Sequence, residues 1–123
     1  MSTPSFDDAN VLLQIEQWFA IAGINDATHW IWSDEFDPNY TTFVEKHPIG
    51  SEGYGKVRKA LNAYETVAAL WKNGLFNEKL LFDWKGVNFL WDRVEVYVLG
   101  MRERAGNDTL YENLEALAAA APD

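Results

Sequence analysis

The sequence contains no cysteine. That absence excludes disulfides, thiolate metal ligands and cysteine nucleophiles. No run reaches the roughly 18 uncharged apolar residues that a membrane span needs. The most apolar stretch, 87–101, is interrupted by Asp92, Arg93 and Glu95. The opening residues, Met1 to Asp8, offer neither the basic nor the apolar region of a secretory signal. A soluble, cytoplasmic protein with no membrane contact is expected.

Basic residues are missing from the first third. Residues 1–45 hold eight acids and no Lys or Arg, whereas 46–123 hold eleven acids and ten bases. The net charge of −9 repels nucleic-acid phosphates and anionic membranes. Nucleic acid is therefore not an expected partner, and a basic protein is.

Catalytic signatures are also scarce. There is no Gly-x-Ser-x-Gly, and Gly50-Ser51-Glu52-Gly53-Tyr54-Gly55 follows no strand pattern and lacks the Lys-Ser/Thr of a phosphate loop. His29 and His47 are the only histidines. With one of Asp34, Glu35, Asp37 or Glu45 they have the ligand types of an open metal site. Their spacing is not that of a metal motif, and the plainer reading is that Asp37 caps a helix and His47 ends one. No catalytic residue, metal or cofactor is assigned, and the balance leans away from an enzyme.

What is present is apolar and helical in pattern. The 123 residues suit one domain, 1–123, and a hydrophobic content of 48% can fill a core without staples. Val11, Leu12, Ile15, Trp18, Phe19 and Ala22 predict a first helix over about 7–22, opened by Ser5 and Asp8 as a capping box and stopped by Gly23. A short helix capped by Asn25 or Asp26 follows, in preference to a lone strand over Thr28–Trp32. Asp37-Pro38 predicts the start of another, ended by His47-Pro48.

Tyr54, Val57, Leu61, Tyr64, Ala68 and Trp71 form the apolar seam of a longer helix. Asn77-Glu78 opens a segment that Gly86 kinks or breaks. Residues 87–105 are apolar nearly all round, with Leu90, Val94, Tyr97 and Met101 on one stripe and Phe89, Val96 and Leu99 well off it. Such a helix is either central or covered by a second subunit. Asp108 should cap a last helix, with Leu110, Leu114 and Leu117 inward and a fraying Ala118–Ala121 tail. The expected fold is all-α: an irregular antiparallel bundle of about five to six helices, with sequential helices as neighbours.

The stretch from Leu61 to Trp84 contains Asn62-x-x-Glu65, the turn Lys72-Asn73-Gly74-Leu75, then Asn77-Glu78 and an apolar helix; Trp91 and Arg102 follow. Over residues 54–103 this resembles a helical bacterial family of unknown function, domain of unknown function 4760. The resemblance implies an all-α fold and no particular activity. It offers no counterpart for residues 1–50.

Two functional readings remain. The first is a non-enzymatic interaction or regulatory module that self-associates as a homodimer, since a domain this small has few ways to bury helix 87–105 alone. The second is a ligand-binding or catalytic pocket in the bundle core. Trp71, Trp84, Trp91 and Tyr97 would line it, with Glu65 or Arg93 as the polar group. Carboxylates such as Glu65 and Asp83 more often pair with an Arg, here Arg93 or Arg102, than act as tuned acids. The six Trp, five Tyr and seven Phe are expected mainly in the core. The alternative is an acidic partner face formed by Asp26, Trp30, Trp32, Asp34, Glu35 and Asp37.

Overall fold

Short polar side chains set most helix starts in the computed structural model, which describes residues 2–122. Ser5 Oγ accepts from the Asp8 N–H at 3.2 Å while the Asp8 carboxylate accepts from the Ser5 N–H at 2.8 Å. This reciprocal cap opens α1 (Phe6–Ala22). Gly23, at φ 71°, ends α1 and leads directly into α2 (Ile24–Ile31). A side chain there would be strained in the left-handed region. Asn39, Ser51 and Asn77 cap α3 (Tyr40–Lys46), α4 (Glu52–Lys72) and α5 (Glu78–Trp84). The last two elements are α6 (Val87–Ala105) and α7 (Glu112–Ala120).

The all-α expectation holds, with seven helices and no strand among the described residues rather than five to six. Lys85 is extended, at φ −142° and ψ 141°, so α5 and α6 are separate. Three expected caps are corrected. Helix α2 opens from Gly23, with no side-chain cap from Asn25 or Asp26. Asp37 accepts from the Asn39 N–H at 2.8 Å in the preceding turn, and Asn39 itself caps α3. Asp108 lies in a turn held by Asn107, whose Oδ1 accepts from the Thr109 N–H at 2.9 Å. Helix α7 begins only at Glu112, after Tyr111 in a left-handed conformation at φ 59°. Helix α7 runs to Ala120, and Ala118 is buried.

Helix α4 buries the expected seam from Tyr54 to Ala68, and Ala60, Ala63 and Val67 beside it. The small alanines let α2 and α7, its main contacts, pack closely. Trp71, at the end of the seam, is only partly buried. Helix α6 packs mainly on α7 and α3, and α1 touches α2 and α5. Sequential packing therefore accounts for only part of the principal contacts. The α3–α6 contact depends on Gly100, where a Cβ would lie 2.7 Å from the Tyr40 Cβ. Phe43 holds this end of the core, with ring centroids 5.6 Å from Phe36, 5.3 Å from Tyr97 and 6.1 Å from Trp30.

Candidate functional site

Burial divides α6 into two faces. Val87, Leu90, Trp91, Val94, Tyr97, Val98 and Met101 turn inward. Phe89, Val96 and Leu99 stand in solvent, 64%, 59% and 48% exposed. At 100° per residue the three fall within one narrow sector. Asp92 and Glu103 extend the same line, and Lys85, in extended backbone before the helix, lines a cleft with Phe89 at its start. The spacing along 89, 92, 96, 99 and 103 alternates three and four, the seam spacing of paired helices. Residues that would make this helix central are absent from its outer side, so the apolar surplus is left uncovered.

A cleft flanks each end of that line. One, of about 320 Å³, lies between Tyr40 on α3 and Val96, Leu99 and Gly100 on α6. The other, of about 260 Å³, lies between Phe82, Lys85 and Phe89, with Ala121 at its rim. A separate apolar surface lies on α1, where Leu13 and Ile21 are exposed and Trp18 borders a cleft with Leu70 and Leu75. It carries no basic residue and no charge pattern along its length.

The sequence from residue 7 to residue 121 matches the family described as Domain of unknown function (DUF4760). The chain belongs to this family. The match extends well beyond 54–103, so the first three helices are part of the DUF4760 domain as well. No curated protein and no solved structure matches the chain.

Within this DUF4760 chain, the six residues proposed for a core pocket are each engaged separately. Glu65 accepts from the backbone N–H groups of Leu114 at 2.7 Å and Asn113 at 3.4 Å, and so caps α7. Trp71 Nε1 donates to Glu78 at 3.2 Å, and Trp84 Nε1 donates to Glu16. Trp91 is buried beneath the Arg102 guanidinium. Arg93 donates to the carbonyls of Ile31 at 3.0 Å and Ser33 at 3.2 Å, and stacks over Phe36 and Trp32. Tyr97 is fully buried. None of the three clefts described above is lined by any of the six. The expected carboxylate–Arg pairings are corrected. Asp83 meets Lys79 at 3.1 Å, and Arg102 pairs with Glu115 at 2.9 Å.

In the acidic first third, Asp26, Asp34 and Glu35 are exposed, Trp32 is half-exposed, Trp30 and Asp37 are half-buried and Phe36 is core. Glu35 alone of Asp26, Asp34, Glu35, Asp37 and Glu45 forms an ion pair among the described residues, with Lys46 at 2.9 Å and His47 at 3.2 Å. The hydrogen bond and charge of Lys46 hold the Glu35 carboxyl below its ordinary range, with His47 adding to the shift. The His47 ring packs on Phe43 and Trp30. His29 and His47 do not assemble a ligand set: no group of three or more His, Asp or Glu among the described residues is placed to hold a metal ion.

Proposed function

We propose that the chain is a non-enzymatic interaction module that self-associates through the outer face of α6. The carrying observation is the exposed line of Phe89, Val96 and Leu99 at seam spacing. Large apolar residues on a monomer's surface are ordinarily scattered singly, and contiguous ones mark interfaces. The occupant is a second copy, because the line complements itself. Lys85 stands at one end and Glu103 at the other. An antiparallel two-fold pairing sets Phe89 against Leu99 and brings the end of α6 next to Lys85 towards Glu103 of the other copy, each contact made twice. The Phe89 ring then meets the cleft beside Tyr40 and Gly100. A parallel pairing sets Lys85 against Lys85 and Glu103 against Glu103, and like charges disfavour it.

Sedimentation equilibrium at high micromolar concentration should give twice the chain mass of 14.0 kDa. Val96→Glu puts a second carboxylate beside Asp92 in the seam. It should yield a monomer with unchanged helical circular dichroism. A wild-type chain that stays monomeric throughout would overturn the proposal.

A second reading is supported by the acids left unpaired in the first third. Asp26, Asp34, Asp37 and Glu45 have no ion-pair partner among the described residues, although ten bases follow in the sequence. Such a surface would speed encounter with a basic protein in a salt-dependent way. A Lys-rich peptide should quench Trp fluorescence saturably, and the effect should weaken with salt. Paired Asp34→Lys and Glu35→Lys changes should reduce binding and leave the fold intact. Equal binding by the charge-reversed variant would eliminate this reading.

A further inference from the structure

Two arginines in this acidic chain have no carboxylate within ion-pair distance among the described residues. Arg58, on α4, and Arg104, in the last turn of α6, form no ion pair and no side-chain hydrogen bond among the described residues. Both line one cleft of about 330 Å³, together with Tyr40, Tyr54 and Tyr111. Helix spacing explains part of the arrangement, since Tyr54 and Arg58 are one turn apart on α4.

Tyr97 packs against Tyr40 of this cleft, with ring centroids 5.1 Å apart, without lining the cleft itself. Its side chain has no solvent exposure, and its hydroxyl has no hydrogen-bond partner among the described residues. Burial raises the Tyr97 pKa, and the neighbours acting on it are Tyr54, Tyr40 and Tyr111, with Arg58 opposing them. All four of those neighbours line the cleft. A buried hydroxyl without a partner is costly, and in a native protein it calls for an explanation. Tyr111 adds a second oddity: it holds a left-handed backbone at φ 59°, fixed by its hydroxyl donating to Asn62 Oδ1 at 2.7 Å. Non-glycine residues held in that region cluster at binding sites.

We propose that this cleft binds a small organic oxyanion, a carboxylate or a phosphate, on Arg58 and Arg104. The guanidinium fork matches the paired oxygens of either group. Burial pushes Tyr40 and Tyr111 up to about 12, so no phenolate charge opposes an anion at neutral pH. The Tyr111 hydroxyl already donates to Asn62 and adds no further donor, so the anion's partners are the two guanidinium groups. The aromatic faces and the side chain of Met101 give an apolar wall for the body of the ligand. The volume is at the small end of ligand sites, which excludes a dinucleotide. The site shares Tyr40 with the cleft beside the outer face of α6, but neither arginine lines that cleft, and occupancy does not require self-association.

The test is a heteronuclear NMR titration of the full chain with benzoate, phenyl phosphate and inorganic phosphate in turn, at constant ionic strength. Benzoate or phenyl phosphate should shift the ring signals of Tyr54 and Tyr111 saturably. Preference between these two identifies the anion class. Saturation by inorganic phosphate as tightly as by phenyl phosphate would remove the organic body from the proposal. Arg58→Gln and Arg104→Gln, both at exposed positions, should each weaken binding about tenfold or more, the size of a lost charged hydrogen bond. Repeating the titration on the Val96→Glu chain separates this result from the oligomeric state. No saturable shift with any probe, or equal affinity in both Arg variants, would overturn the proposal.

Discussion

Replacing Phe43 with Ala should lower the unfolding free energy by about 3–5 kcal/mol. Phe43 is fully buried in α3. Its ring meets Phe36, Tyr97, Trp30 and His47, with centroids between 4.9 and 6.1 Å away. Those partners come from α2, the following loop, α6 and the end of α3, so no single element can move in to fill the space. The substitution removes the buried ring area and leaves a cavity that relaxes only partly. Domains of this size have total stabilities of about 5–15 kcal/mol, so the loss is a large share. Urea titration followed by Trp fluorescence would measure it. By the same argument Leu61→Ala, also fully buried, should cost about 2–5 kcal/mol. Trp71→Ala should cost less than Phe43→Ala, because Trp71 is only partly buried. A Phe43→Ala loss below about 1 kcal/mol would mean that the aromatic cluster does not organise the core.

Glu65→Ala should be the second large effect, at about 1–3 kcal/mol. Its two carboxylate oxygens take the N–H groups of Asn113 and Leu114 and the Asn113 side-chain amide, at 2.7 to 3.4 Å. Tyr111, the residue at the N-cap position of α7, makes no side-chain cap. Removing the carboxylate leaves partly buried donors unpaired, and it also removes a negative charge from the positive end of the helix dipole. The damage should be local. Hydrogen exchange should rise first in α7, and Glu65→Gln should recover part of the loss because one acceptor oxygen remains. Unchanged exchange in α7 of the Ala variant would show that the cap contributes nothing.

These two residues mark what local sequence pattern reveals and what it misses. Starts and stops set by neighbours were legible: Ser5 with Asp8, Gly23 and Asn77 all lie where the chain needs them. The inward stripe Leu90–Val94–Tyr97–Met101 was legible as well, because a 3.6-residue period is a local property. The start of α7 was not. Its cap comes from Glu65, 48 and 49 residues earlier, and no spacing rule links the two. Arg93 is a similar case: it was read as a partner for carboxylates, yet it holds the carbonyls at the end of α2.

The proposed sites were legible in unequal measure. Phe89, Val96 and Leu99 stand out in the sequence as apolar residues off the main stripe, and their exposure follows from the helix period. The Arg58–Arg104 cleft is lined from α3, α4, α6 and the turn before α7, so its residues share no motif. Tyr97 was singled out from the sequence as an aromatic pocket wall. Its place against Tyr40, one of the cleft's lining residues, became visible only in three dimensions.

The absence of cysteine makes the α6 pairing directly measurable, since Asp92→Cys gives one labelling site per copy. In the antiparallel register Asp92 lies close to the two-fold axis, between Phe89 and Val96. Paired helix axes lie about 8–10 Å apart, so pulsed dipolar spectroscopy on nitroxide-labelled protein should find an intermolecular distance below about 25 Å. The same label at Lys72→Cys, at the end of α4, should give no such short distance. Absence of intermolecular coupling at position 92, or a short distance at position 72 instead, would contradict self-association through the outer face of α6.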